Sequence, residues 1–190
     1  MKPLILASGS PRRKQLLEQM NVPFTVCKST IDETFDPTFP PDEVVQQLAR
    51  QKAQDVAKKH EDSFILAADT IVVFQGRILG KPATEQEARQ MLSQLSDQSH
   101  EVLTGVALLH QGQVETFVET TEVRFWPLTD TEIETYLQTG EPFDKAGAYG
   151  IQGLGAYLVK ELKGDYYNVV GLPLSRTVRA LKVHGFSTRF

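Results

Sequence analysis

At 190 residues, with 41% apolar and 23% charged side chains and a formal net charge of −4, the chain has the make-up of one globular domain, or of two small lobes around one core. The acidic balance excludes a bulk nucleic-acid binder, which carries a basic excess. No apolar run reaches the roughly 18 residues of a membrane span. A single cysteine, Cys27, excludes an internal disulfide and fits a reducing compartment. Only four apolar residues, Leu4 to Ala7, follow Pro3 in a row, too few for a signal peptide, so the expectation is a cytoplasmic protein.

The elements follow in chain order. A short apolar strand is predicted over 3–7. Ser10 and Pro11 then make a helix start, as N-cap and first-turn residue, for a helix running to Met20. A second strand is expected over 24–27, with Cys27 as a packing residue, and a proline-bearing loop follows. The longest helical pattern covers 41–60, with Val44, Val45, Leu48, Ala49, Ala53, Val56 and Ala57 at helical spacing and Lys52 beside that face. An apolar strand over 64–68 ends at Asp69. Strands at 71–74 and 78–79 flank the turn Gln75-Gly76-Arg77. Thr84 and Glu87 read as a capping box for a helix to Leu95. Two long strands, 100–110 and 114–125, flank a turn around Gly112, and Trp126 reads as strand-end packing. Thr129 and Glu132 cap a helix that closes at Gly140. A strand over 156–163 and a helix over 173–183 complete the chain. Helices alternating with strands early and hairpins in the middle predict an α/β or α+β fold with a mixed sheet. No repeat, low-complexity tract or linker interrupts residues 1–190, which read as a single domain.

Polar groups concentrate in four places. Ser8-Gly9-Ser10-Pro11-Arg12-Arg13 joins a strand end to a helix N-terminus, where unpaired N–H groups and the helix dipole favour an anion. Two guanidinium forks suit phosphate oxygens. The alternative is a plain cap with two solvated arginines. Asp69-Thr70 puts an acid after a buried strand, where open α/β sheets bind ligands; a turn-forming Asp is the competing reading. Gly80-Lys81-Pro82 lacks the glycine spacing of a P-loop and alone reads as an exposed turn. Residues 144–155 carry glycines at 147, 150, 153 and 155. These allow close backbone approach to a ligand, or serve chain geometry only. The spacing is wrong for a dinucleotide fingerprint, but the Gln152 amide both donates and accepts, as reading a base edge requires. The four histidines show no metal spacing.

The segments LASGSPRR at 6–13, DET at 32–34, ADT at 68–70, GKP at 80–82, DKAGAYGIQG at 144–153 and GDYYNVVGLP at 164–173 together resemble the Maf family of nucleoside triphosphate pyrophosphatases, once described as septum-formation inhibitors. The resemblance covers essentially the whole chain. It implies a mixed-sheet fold with flanking helices, of inosine triphosphate pyrophosphatase-like architecture, with two lobes around a cleft. It also implies cleavage of a nucleotide between the α and β phosphates. AYGIQG is similar to the branch acting on dTTP and UTP, in which Arg12, Thr70 and Gln152 match positions tied to base choice and Asp69 the proton acceptor.

On the chemistry of the residues, Arg13, Lys52 and Lys81 are the expected phosphate cations, and Ser8 with the loop amides is expected to hold one phosphate group. Glu33 and Asp69 are the expected ligands of a divalent cation, Mg²⁺ or Mn²⁺, since such ions need one or two protein carboxylates beside substrate oxygens. The expected partner is thus a nucleoside triphosphate, with no nucleic acid and no membrane; a homodimer through the long hairpin strands is compatible with the pattern. A nucleotide-binding regulator of cell division with little turnover is the alternative. Acids beside a polyanion argue against it.

Overall fold

The computed structural model describes residues 2–36, 38–60 and 62–188. Seven strands form one mixed sheet in the order β2-β1-β3-β5-β6-β7, with β4 pairing β3 off that path. The strands are β1 (Leu4–Leu6), β2 (Thr25–Val26), β3 (Phe64–Phe74), β4 (Arg77–Leu79), β5 (Ser99–His110), β6 (Gln113–Phe125) and β7 (Val159–Lys163). The helices are α1 (Pro11–Gln19), α2 (Pro41–Ala57), α3 (Glu85–Leu95), α4 (Asp130–Gln138), α5 (Tyr166–Val170) and α6 (Leu174–Val183). The α/β class and mixed sheet are those expected: β1 runs parallel to β2 and β3, while β3–β4 and β6–β7 are antiparallel. β1 is apolar throughout because it is paired on both edges and buried along its length. Both predicted hairpins form on two-residue turns, Gln75–Gly76 and Gln111–Gly112, with both residues at positive φ, which matches the twist of the flanking strands.

The chain divides into two units. The first comprises residues 1–69, 104–119 and 171–190, and the second 70–103 and 120–170. In the first, Ala49, Ala53 and Val56 of α2 pack with Ile65 and Ala67 of β3 and Ala107 of β5. Gly105 lets β5 pass against the α2 backbone: a Cβ there would lie 2.4 Å from the Val45 carbonyl. In the second, Leu92 and Leu95 of α3 pack with Phe125, Ile133 and Leu137. Buried His100 there hydrogen-bonds the Tyr149 hydroxyl at 2.7 Å and meets Phe125 edge-on.

Five expectations need correction. The strand expected to stop at Asp69 runs on to Phe74 without a break, so Asp69 lies inside β3, between the residues laddered with β1 and those laddered with β4. The strand expected from residue 156 starts only at Val159, because Gly153–Leu158 closes into a 3₁₀ turn. Between residues 163 and 173, where the pattern predicts no element, the GDYYNVV segment contains α5. Glu87 completes its cap on the Ala83 N–H rather than on Thr84, although Thr84 does accept from the Glu87 N–H; the box at Thr129 and Glu132 is complete. Trp126, expected as strand-end packing, is instead 47% exposed, with the Lys160 ammonium 4.8 Å from its ring centre.

Candidate active site

The end of β1 and the start of α1 build the first half of the site. Ser10 is the N-cap of α1 and its hydroxyl accepts the Arg13 N–H, with Pro11 in the first turn. That places Arg13 on the same helix face as Leu16 and Leu17, one turn on, and all three are buried. The Arg13 guanidinium donates from Nε to the Gly171 carbonyl at 2.7 Å and from Nη1 to Ser8 Oγ at 3.2 Å. Ser8 Oγ also accepts the Ser10 N–H at 3.2 Å. The alternative of two solvated arginines is therefore overturned, since Arg13 is only 9% exposed and Arg12 is half-buried. Burial pulls the Arg13 pKa below its ordinary value; Asp69 opposes that shift, Arg12 adds to it and Glu33 opposes it.

The second half is a charge cluster on α2 and β3. Lys52 lies on the buried face of α2, four residues from Leu48 and Val56, so its stem is packed and its ammonium is delivered inward. Lys52 Nζ donates to Asp69 Oδ1 at 2.6 Å and pairs with Glu33 Oε1 at 3.0 Å. Asp69 and Lys52 are buried, whereas the Glu33 side chain is 58% exposed. One ammonium is thus shared by the two predicted carboxylates. In the interior of a strand an ionised Asp needs such a partner, because an unpaired buried charge costs several kcal/mol. Among the described residues no group of three His, Cys, Asp or Glu side chains converges as a metal site.

Ser8, Arg12, Arg13, Glu33, Lys52 and Asp69 belong to the first unit; Thr70, Lys81 and Gln152 belong to the second. Thr70 is half-buried in β3. Lys81 is exposed and directly follows Gly80, whose carbonyl accepts the Gly147 N–H at 3.0 Å. Gln152 is half-buried at the head of the 3₁₀ turn Gly153–Leu158. The glycines around it press on the protein's own atoms. A Cβ on Gly155 would sit 2.1 Å from the Gly150 carbonyl oxygen, and one on Gly153 would sit 2.8 Å from Glu141 Oε2. At these two positions chain geometry accounts for the glycine.

Sequence reasoning missed three groups. Gly171, at φ 128°, supplies the carbonyl that holds Arg13, and its only local signal is a helix-breaking Gly before Leu172-Pro173. Asn168 Nδ2 donates to the Val102 carbonyl and to Thr121 Oγ1, which anchors α5 in the second unit. Glu141 accepts the N–H groups of Leu154 and Gly155, with nothing in the local pattern to mark it.

Comparison with known proteins gives a consistent picture. A family model described as "Maf-like protein" matches residues 3–184. A Bacillus cytotoxicus protein named dTTP/UTP pyrophosphatase is 57% identical over 182 residues, covering 96% of this chain and 95% of the relative. A Bacillus cereus protein of the same name is 54% identical over the same shares. Among solved structures, a HAM1 protein from Coxiella burnetii matches with a TM-score of 0.58 at 16% identity, over 96% of this chain and 100% of that one. That last likeness concerns the fold alone.

Proposed function

The chain belongs to the Maf family, and from that premise we propose that it hydrolyses dTTP and UTP to the nucleoside monophosphate and pyrophosphate. The observation that carries the reading is the convergence of Ser8, Arg13, Glu33, Lys52 and Asp69 within one unit. A triphosphate carries about four negative charges, which must be neutralised before water can approach the α phosphorus. Arg13, Lys52 and Lys81 take the phosphate chain. Ser8 and the first N–H groups of α1 take one phosphate group. Asp69 orients the attacking water and receives its proton. The bond from the α phosphorus to the bridging oxygen breaks, and pyrophosphate leaves with the electron pair. The water oxygen ends on the monophosphate.

The reading includes a divalent cation, Mg²⁺ or Mn²⁺. Glu33 and Asp69 suit it: both offer hard oxygen donors, and one cationic atom, Lys52 Nζ, already lies within bonding distance of both. When bound, such an ion neutralises charge on phosphate oxygens. Arg12, Thr70 and Gln152 select the base. Thymine and uracil present an N–H donor between two carbonyl acceptors, which suits the paired donor and acceptor of the Gln152 amide. No helix among the described residues is long and apolar enough to cross a membrane. The lone cysteine supports work in the reducing cytoplasm.

The test is a substrate panel of dTTP, UTP, CTP, GTP and ATP with Mg²⁺ or Mn²⁺, with products identified. Monophosphate and pyrophosphate are expected from dTTP and UTP. Asp69→Asn is expected to lower kcat by about 10²-fold or more. Equal turnover of all five nucleotides, or near wild-type rates in Asp69→Asn, would overturn the reading.

A further inference from the structure

We propose that Glu141 is a positioning residue for base selection, its carboxylate holding the turn that presents Gln152. The inference rests on the reading of Gln152 as a base-contacting group. Gln152 heads the short 3₁₀ turn Gly153–Leu158 but gives it no side-chain cap. The first N–H groups of such a turn need acceptors from elsewhere. Glu141 supplies them: Oε2 accepts the Leu154 N–H and Oε1 the Gly155 N–H, both at 3.1 Å. Oε1 also accepts the Tyr136 hydroxyl at 2.9 Å, and that hydroxyl oxygen accepts the Gly150 N–H at 3.2 Å. The segment is therefore gripped on both sides of Gln152, at Gly150 by Tyr136 and at Leu154 and Gly155 by Glu141.

The grip is tight and charge-specific. A Cβ on Gly153 would collide with Glu141 Oε2, and one on Gly155 would lie 2.7 Å from the Tyr136 hydroxyl. Both carboxylate oxygens are used as acceptors, so a glutamine at 141 would turn an N–H donor towards another donor. Glu141 is itself fixed, its N–H bonded to Thr139 Oγ1 at 3.1 Å and its carbonyl accepting from Lys145 Nζ at 2.7 Å. The Gln152 backbone is thus set before any nucleotide arrives, so binding need not order it. A residue that only stabilised the fold would affect every nucleotide alike. A residue that aims Gln152 changes the difference between nucleotides.

The experiment measures kcat and KM for dTTP and CTP in Glu141→Gln, Tyr136→Phe, Gln152→Ala and the double variant E141Q/Q152A, each checked by circular dichroism. Glu141→Gln is expected to lower the dTTP-over-CTP preference about 10-fold, through a higher KM for dTTP with kcat within about 3-fold. Tyr136→Phe shifts the preference the same way by less, and carries the test if Glu141→Gln does not fold. On the Gln152→Ala background, Glu141→Gln is expected to change the preference no further. Equal losses for both nucleotides, or full additivity in the double variant, would overturn the role of Glu141 and leave that of Gln152 standing. An unchanged preference in Gln152→Ala would overturn the reading of Gln152 and this inference with it.

Discussion

Lys52→Met keeps the packed stem of the side chain and removes its charge, which isolates the electrostatic part of the cluster. The ammonium lies 2.6 Å from Asp69 Oδ1 and 3.0 Å from Glu33 Oε1, with side-chain exposures of 9% for Lys52, 11% for Asp69 and 58% for Glu33. Losing one partner of a buried pair strands the other, at a cost of about 3–5 kcal/mol. The largely exposed Glu33 partnership adds only about 0–1 kcal/mol. The expected loss is therefore about 3–5 kcal/mol, dominated by Asp69, or roughly 10 °C in Tm at about 2–4 °C per kcal/mol. Equilibrium urea unfolding measures it, read as a shift in midpoint at constant slope. Adding Asp69→Asn to Lys52→Met removes the stranded carboxylate, so the double variant is expected to be more stable than Lys52→Met alone by about 2 kcal/mol. A loss under about 1 kcal/mol in Lys52→Met, or a double variant less stable than it, would refute the reasoning.

Arg13→Lys cannot serve both the Gly171 carbonyl and Ser8 Oγ with one ammonium and still face a phosphate. A KM about 10-fold higher and a stability loss of about 1–2 kcal/mol are expected from steady-state kinetics and melting. His100 is driven by burial from 6.5 to about 4. The unfolded chain then takes up the proton first, so stability falls as pH drops through that window, by roughly 3 kcal/mol in total. His100→Gln should flatten that stretch of the stability–pH curve measured by urea unfolding. Gly105→Ala drives a Cβ to within 2.4 Å of the Val45 carbonyl, and a loss of at least about 2 kcal/mol in urea is expected.

What could be read from the sequence was local. The turns at Gln75–Gly76 and Gln111–Gly112, the caps at Ser10 and Thr129 and the apolar face of α2 all declare themselves within a few residues. The two arginines could not be told apart locally, since Arg12 lies one turn before Leu16 as Arg13 lies one turn before Leu17; the Gly171 carbonyl that holds Arg13 is distant in sequence. What was missed depended on distant partners. Asp69 reads as a strand end because a charge breaks an apolar run, yet β3 continues through it because Lys52, 17 residues earlier, supplies a counter-charge. The run from Ala156 alternates like a strand, but Glu141 draws its beginning into a 3₁₀ turn from more than ten residues away. Aromatic and β-branched residues in Tyr166–Val170 argue against a helix, which nevertheless forms where Asn168 is anchored to Val102 and Thr121.

The central claim is that the cluster around Asp69 directs water to the α phosphorus. Hydrolysis of dTTP in water labelled with heavy oxygen tests it most directly, with mass spectrometry of both products after a single turnover. The label is expected in the monophosphate, with unlabelled pyrophosphate. Label in pyrophosphate or release of orthophosphate would contradict the account, as would binding without turnover.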